Sequence, residues 1–392
     1  MKQDALGRII EKSVGETFKD ESFTKENRPL PYSTPEVQEE PMLDLENDLQ
    51  FSVIYDVMPS LTVEKWEGIE VEAPDVTIDD EDIDRELEVI RDRNAFVLDK
   101  NEDETALNDD VVTVNYCELD DNGAIIEESK REDFVFTLGS GHNIYKFDDE
   151  IIGMKAGESK DFQKTYPDDF ENDDLKGKTK HIRLSLTALK LRKLPELDDD
   201  LAQDVDEKFQ TLEDLKNNIR ERLSGSLETR LQDIKISKLL EKIMEDTPVI
   251  IPESMVRVEL DSRWRNLARR FNTDSDGLLR TMGQNGHDVQ AVLDQWRPDV
   301  IKALHSRLIV ENLIGVLSLN VDDEDVDKEI EGIAASEGVP IDEVKNYYKE
   351  EAVRSYLKED IKERRLFKIL IEKNIIKPGN KTKYVDLMAN NG

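Results

Sequence analysis

Cysteine is almost missing from this chain: Cys117 is the only one in 392 residues. It cannot close an intramolecular disulfide, it fits a reducing compartment, and a Cys-rich zinc site is excluded. Histidine is also scarce, and His142, His181, His287 and His305 show no metal-ligand spacing, so no metal is expected. No run approaches the roughly 18 apolar residues that span a bilayer, and Met1 to Asp20 lacks the apolar centre of a signal peptide. The expected address is the cytoplasm, with no membrane partner. A Gly-x-x-x-x-Gly-Lys phosphate loop is absent, and Gly139-Ser140-Gly141 lacks the third glycine of a dinucleotide fingerprint, so no nucleotide or other cofactor is expected. Positive charge is in deficit: 54 Lys and Arg face 90 Asp and Glu, a net charge of −36. That sign argues against nucleic acid as the main partner and against specific DNA binding.

What the chain does contain is charge and helix. Charged residues and hydrophobic residues each make up 37%, and a chain this long and this polar divides into two to four modules more readily than it forms one core. From Asp4 to about Phe23, Leu6, Ile9, Ile10, Val14 and Phe18 recur at helical spacing. After a proline-rich stretch, Leu49, Phe51, Val53, Tyr55 and Val57 alternate with mostly polar residues, which predicts one long strand closed by Pro59. Such a strand needs neighbours that the surrounding residues do not obviously supply.

Two acidic segments, Ile78 to Leu87 and Val321 to Ile330, read alike. A calcium loop would need glycine at its sixth position, where Asp84 and Asp327 stand. Asp79 and Asp322 are better read as helix caps, with further acids in the first turn facing the positive end of the helix. Between Val111 and Leu191 the texture changes to a sheet-dominated α+β module. Val111 to Tyr116, Phe134 to Leu138 and Ile182 to Thr187 are strand-like, and turn signals lie at Asp121-Asn122-Gly123, Gly139-Ser140-Gly141 and Lys155-Ala156-Gly157. A short helix fits Asp148 to Ile152.

Beyond Leu197 the pattern is helical. Thr211 and Asp214 form a capping box, and Leu215, Ile219, Leu223, Leu227 and Leu231 repeat every four residues, with Gly225 inside the run as a site for a bend or close packing. Further helices are expected over Ser254 to Phe271, Val289 to Leu317, Asp322 to Ser336, Ile341 to Tyr348 and Val353 to Lys373. These helices either expose partly apolar surface to a partner or bury it in an ordinary helical domain. The cluster Arg263 to Arg270, with Trp264 as a stacking platform, could suggest RNA, but in so acidic a chain a solvated helix face explains it better.

The sheet module carries a resemblance. Val114-Asn115-Tyr116, Asn122-Gly123, Phe134 to Gly141, Ile144 to Asp149 and Ile152 to Glu158 resemble the FKBP-type peptidyl-prolyl isomerase pattern. Tyr166-Pro167-Asp168-Asp169-Phe170, Leu175-Lys176-Gly177-Lys178, Leu194 to Asp199 and the upstream Glu67 to Pro74 resemble its version in the trigger factor family of nascent-chain chaperones. The resemblance implies an α+β multidomain fold: a partial N-terminal α/β remnant, an FKBP-like antiparallel sheet with a short helix, and a long-armed all-α C-terminal domain. It divides the chain into 1–58, the C-terminal part of a ribosome-binding domain; 59–102, a linker and the first segment of the helical domain; 103–192, the isomerase; and 193–392, the helical substrate-binding domain.

The implied function is to hold unfolded or nascent polypeptides and to catalyse cis-trans isomerisation of X–Pro bonds, with no cofactor. At the pocket positions the resemblance puts Tyr116, Phe134, Phe136, Ile144, Phe147, Phe170 and Ile182, with Ile126 and Glu127 where the family commonly has Phe and Asp. Ordinary barrel core is the bland account of these aromatics, and for Phe136 the better one. Phe170 stands where Tyr is usual and so lacks a hydroxyl; Ile182 stands where Phe is usual; Tyr145-Lys146 replace Pro-Gly before Phe147. Weak turnover is therefore expected.

The family's docking loop, resembling Gly-Phe-Arg-x-Gly-Lys, has no counterpart here, and Met1 to Leu6 matches a point inside that domain. Ribosome binding is accordingly expected only of a full-length form, and a weak homodimer is compatible with the resemblance. A holdase whose FKBP-like module is only a docking surface, and an acidic scaffold with one fixed partner, are the rival functions.

Overall fold

A computed structural model describes residues 2–20, 23–24, 27–38, 49–101, 103–120, 122–284 and 288–389. In chain order the elements begin with α1 (Lys2–Thr17), β1 (Glu36–Val37), β2 (Val53–Ile54), β3 (Glu70–Asp75), α2 (Asp80–Arg93) and β4 (Phe96–Asp99). The sheet module adds β5 (Val111–Leu119), β6 (Arg131–Thr137), α3 (Asp148–Ile151), β7 (Ser159–Thr165) and β8 (Thr179–Lys193). The remainder is α4 (Asp199–Val205), α5 (Leu212–Asp246), α6 (Glu253–Arg270), α7 (Ser275–Gln284), α8 (Val289–Val316), α9 (Asp323–Glu337), α10 (Ile341–Tyr347), α11 (Glu351–Lys373), β9 (Ile375–Lys381) and α12 (Tyr384–Ala389). The chain forms two compact units, one of residues 1–75 and 228–382, the other of 76–227 and 383–392.

In the first unit, apolar stripes of the helices close on one another. Ile236, Leu239 and Ile243 from the end of α5 meet Ile309 and Leu313 of α8 and Leu366 and Leu370 of α11, with Val63 and Val71 filling the same core. Val71 enters it because β3 runs parallel to β9, Glu70 opposite Ile375 and Val71 opposite Ile376. A second core joins Leu30 to Met255 and Val256 of α6 and Val300 and Leu304 of α8. A third joins α9, α10 and α11 through Ile330, Val344 and Ile361.

Three expectations change here. The strand predicted across residues 49–57 alternates in burial from Leu49 to Tyr55, but its pairing is interrupted: Val53–Ile54 pairs with Glu36–Val37, and Val57 makes a separate bridge with Pro29. The first helix stops at Thr17, six residues short of Phe23, and Phe18 turns away to pack edge-on against Phe23 and Tyr55. Trp264 does not lie on the solvated face expected for its cluster: it is buried against Leu278 and Trp296, and its indole N–H donates to the Ser275 carbonyl at 3.3 Å.

In the second unit, β8 is the spine of an antiparallel sheet. One edge pairs with β5 along nearly its whole length, and the other pairs with β7 and then β4; β6 lies outside β5. The strand β7 has no signal in the sequence because Phe162 is its sole apolar residue. Val112, Val114, Leu184 and Leu186 point inward at period two and are buried with Ile151 of α3. A separate core packs Ile83 and Leu87 of α2 on Ala202, Leu215, Ile219 and Leu223.

The two acidic look-alikes are capping boxes. Asp79 accepts from the Asp82 amide at 3.2 Å while the Asp82 carboxylate accepts from the Asp79 amide at 3.2 Å. Asp322 and Asp325 repeat this in the first unit, at 2.9 and 3.3 Å. Thr211 and Asp214 also cap reciprocally. Helix α5 runs through Gly225 without a break, and a Cβ there would meet nothing within 4 Å, so close packing does not explain the glycine.

Candidate active site

The aromatic side chains singled out in the sheet module converge. Tyr116 follows Val112 and Val114 on the inward face of β5, so strand alternation alone delivers it to the core. Between β5 and β6 the register slips: Val114 faces Phe134 but Tyr116 faces Arg131. Asp133 absorbs the extra residue at φ +51°, and its amide donates to the Asn115 side chain at 2.8 Å. Beyond this bulge Phe134 and Phe136 share one face, their ring centroids 5.3 Å apart.

Phe147 arrives from the other side, at the start of α3. Two hydrogen bonds set it: its amide donates to Asn143 Oδ1 at 2.8 Å, and Asn143 Nδ2 donates to Asp148 Oδ2 at 2.5 Å. Asp148 Oδ1 accepts from the Gly139 amide at 2.9 Å. Gly139 needs to be glycine, since it sits at φ +83° and a Cβ would come within 2.3 Å of Asn108 Oδ1.

Around Tyr116 the rings pack edge to face: Phe147 at 5.3 Å, Phe134 at 5.8 Å and Tyr145 at 5.5 Å. Such pairs add about 0.5–1.5 kcal/mol beyond the area they bury. Phe136, Phe147 and Ile182 lie in the same buried cluster, Ile182 fully enclosed. The core account of Phe136 is what its 6% exposure describes.

Above this basin opens a cleft of about 380 Å³, lined by Tyr116, Ile126, Ile144, Tyr145 and Leu175 together with the charged side chains of Glu118, Arg131 and Lys180. Ile126 and Ile144 are its exposed apolar rim. Glu127 is exposed on a single 3₁₀ turn, Glu127–Ser129, and the next residue, Glu128, lines the cleft in its place. Phe170 stands apart from Tyr116: its ring packs on Tyr166 at 4.8 Å, and it shares with Ile144 an adjoining hollow of about 320 Å³.

Sequence reasoning left out the polar side of this cleft. Tyr145 Oη donates to Glu118 Oε1 at 2.8 Å, and Lys180 Nζ donates to Glu118 Oε2 at 2.6 Å. The signal was available in the alternation: Glu118 is two residues beyond Tyr116, and Lys180 is two before Ile182, so each projects on the face of its inward neighbour. Tyr166 Oη donates to the Tyr145 carbonyl at 2.9 Å. Burial raises the Tyr116 phenol despite the opposing charge of Arg131. Burial, and then the Glu118 charge, push Tyr166 up to about 12. Burial and the bond to Glu118 raise Tyr145 as well. All three phenols therefore keep their protons at neutral pH, and those of Tyr145 and Tyr166 serve as donors. Among the described residues no cluster of His, Cys, Asp and Glu could hold a metal. The chemistry open to such a site is noncovalent: an apolar basin with a few fixed hydrogen bonds at its mouth.

Residues 102–187, which contain this basin, match the family described as FKBP-type peptidyl-prolyl cis-trans isomerase. Residues 1–90 match bacterial trigger factor protein, and residues 211–372 match the trigger factor C-terminus. The chain is 42% identical over 388 residues to the trigger factor of Treponema denticola, covering 99% of this chain and 86% of that protein.

The chain belongs to the trigger factor family.

The trigger factor of Treponema pallidum is 36% identical over 388 residues, covering 99% of this chain and 84% of its own length. That of Borreliella burgdorferi is 32% identical over 391 residues, covering 99% and 85%. This is a trigger-factor chaperone that acts on unfolded or nascent polypeptides and carries an FKBP-type peptidyl-prolyl cis-trans isomerase domain. The fold is the expected α+β multidomain arrangement, with an antiparallel sheet module and a helical C-terminal region. No helix among the described residues is long and apolar enough to cross a membrane.

Proposed function

We propose that the isomerase step takes place in the cleft beside Tyr116, with Tyr116, Phe134, Phe147 and Ile182 as the apolar floor, Phe136 behind it, and Ile126 and Ile144 as the rim. The convergence of three aromatic rings, Phe134, Phe136 and Tyr145, on the touching pair Tyr116 and Phe147 beneath an open cleft carries this assignment. An X–Pro amide rotates over a barrier of about 18–20 kcal/mol because its resonance must be broken. An apolar, water-poor surface disfavours the planar, more polar amide relative to the twisted one, and each 1.36 kcal/mol of difference is tenfold in rate. No nucleophile, metal or cofactor is called for.

Turnover is slow in this proposal, because Phe170 brings a ring and no hydroxyl to a place where the family's tyrosine offers a donor, and Glu127 points to solvent. Proline-limited refolding measures it. Phe147→Ala should abolish acceleration, and Phe170→Tyr should raise kcat/KM about fivefold, the worth of one net hydrogen bond of about 1 kcal/mol. Acceleration that survives Phe147→Ala moves the site elsewhere; peptide binding without any acceleration in the parent chain favours the docking-surface reading of the module.

The boundaries 1–58, 59–102, 103–192 and 193–392 follow the family's modules in this proposal, with holding of clients assigned to the helical part. Transient burial of client side chains contributes about 25 cal/mol per Å² there. The setting is cytoplasmic, self-association is weak, and attachment to the ribosome requires a loop of the Gly-Phe-Arg-x-Gly-Lys kind. Co-sedimentation with ribosomes, with and without such a loop added upstream, tests the last point.

A further inference from the structure

We propose that Tyr145 is the cover of the prolyl basin: its ring lies over the aromatic floor, latched by Glu118 and Lys180, and a client's proline binds by displacing it. The inference rests on the assignment of that basin as the isomerase site. Its starting point is a mismatch between floor and cleft. Phe147 has 0% exposure, and the cleft above is walled by Tyr116 and Tyr145, while Phe134, Phe136, Phe147 and Ile182 do not reach it. A proline entering this cleft meets only Tyr116 of that floor until a side chain moves.

Tyr145 is the side chain positioned to do so. Its ring lies nearly parallel to that of Phe147, 12° apart in plane with centroids at 6.3 Å, and meets Tyr116 edge-on at 5.5 Å. It thus already occupies the aromatic surroundings that would receive an apolar ring. Its hydroxyl is tied at the far end to Glu118, which Lys180 holds in turn.

The backbone beneath it is fixed more firmly than the side chain. The Tyr145 carbonyl accepts from Tyr166 Oη at 2.9 Å, and the Lys146 carbonyl accepts from the Lys164 ammonium. Lys146 Nζ reaches back to the Gly141 carbonyl at 2.6 Å, and the Phe147 amide is held by Asn143. Lys146 itself sits at φ +49°, a left-handed conformation for a residue with a Cβ, at the place where the family pattern has glycine. Opening therefore needs rotation of the Tyr145 side chain and rupture of one hydrogen bond, while the segment stays in place. The family's proline at position 145 has no side chain able to reach Glu118, so the device belongs to this sequence.

A cover of this kind acts on affinity: the apparent constant is the intrinsic one divided by the fraction of molecules that are open. The test uses the full chain and tetrapeptides of the type Ala-Leu-Pro-Phe, with KM and kcat measured separately. Tyr145→Phe removes the latch and keeps the ring, and KM should fall about tenfold with kcat nearly unchanged. Tyr145→Ala removes the cover, and KM should fall at least as far. Glu118→Gln retains an acceptor for the phenol but loses the charge that holds Lys180, and should lie between Tyr145→Phe and the parent chain.

An unchanged or raised KM in Tyr145→Phe overturns the cover, and this variant decides if Tyr145→Ala does not fold. Phe147→Ala separates the two levels. Loss of turnover there, with Tyr145→Phe unchanged in KM, sinks the cover alone. Full turnover in Phe147→Ala sinks the site assignment and the cover with it.

Discussion

Asn143 offers the sharpest test of how the site is held. It is 2% exposed, yet its side chain joins two features of the basin: it accepts from the Phe147 amide at 2.8 Å and donates to Asp148 at 2.5 Å. In Asn143→Ala the Phe147 amide loses its acceptor in a buried place, which costs about 1–3 kcal/mol, and the bond to a half-exposed carboxylate is lost with it, about 1 kcal/mol more once water takes part of its role. The sum, about 2–4 kcal/mol, falls on the turn from Gly139 to Ile151 and leaves the remainder of the module intact. Hydrogen exchange of the native full chain reads such local openings directly. Protection of the Phe147 and Gly139 amides should drop by about 30-fold to 1,000-fold, the equivalent of those energies at 1.4 kcal/mol per decade. Amides of Leu184 and Leu186 in β8 should not change. Peptide turnover should fall in parallel, because the Phe147 ring is positioned by the same two bonds. Unchanged protection at Phe147 would refute the view that Asn143 sets this ring, and equal loss throughout β8 would show a global effect in its place.

Two further outcomes follow from other parts of the same module. Lys100 and Asp110 form an ion pair at 2.5 Å with side chains 5% and 2% exposed, and Asp110 also accepts from the Leu107 amide at 2.7 Å. Removing one partner strands the other charge, so Asp110→Asn and Lys100→Met should each destabilise the module by about 3–5 kcal/mol, while the double variant Lys100→Met with Asp110→Leu should cost clearly less than their sum; urea unfolding followed by limited proteolysis of the module measures all three. The buried phenols give a pH dependence whose sign is determined. A phenol with its native pKa raised above the unfolded value near 10 favours the folded state while both forms are protonated, and that contribution is lost as pH rises through the native value. With Tyr166 pushed up to about 12 and Tyr145 and Tyr116 also raised, stability should decline from about pH 10 upward. Ultraviolet titration should then show part of the tyrosine absorbance change arriving only with unfolding, whereas full ionisation of all tyrosines near pH 10 in the folded chain would contradict the burial.

How much of this was legible beforehand varied with the range of the interaction responsible. Helices such as α6, α9 and α11 lie within a residue or two of where their spacing put them, because apolar periodicity and the caps at Asp79, Thr211 and Asp322 act within one or two turns. Tyr116, Phe134, Phe136, Phe147 and Ile182 share one core for a similarly local reason: each sits on an inward strand position or at a helix start. The strand β7 was not legible, since Ser159–Thr165 has one apolar residue and takes its pairing from β8.

By itself the sequence determined the kind of protein this is: an acidic multidomain chain without metal or nucleotide motifs, with the aromatic pattern of an FKBP-type module and the modular order of the trigger factor family. Those properties reside in residue identity and spacing, which need no coordinates. Only the tertiary structure decided which of the aromatic residues touch and what stands between them and solvent. Glu118 and Lys180 are 62 residues apart, and Tyr145 reaches Glu118 across 27, so their connection comes from strand register and side-chain direction. The same applies to Trp264, which reads as part of a solvated helix face until α7 and α8 bury it. Contacts of that length arise when distant segments compete to cover apolar surface, and the winner is set by packing, which no local pattern specifies.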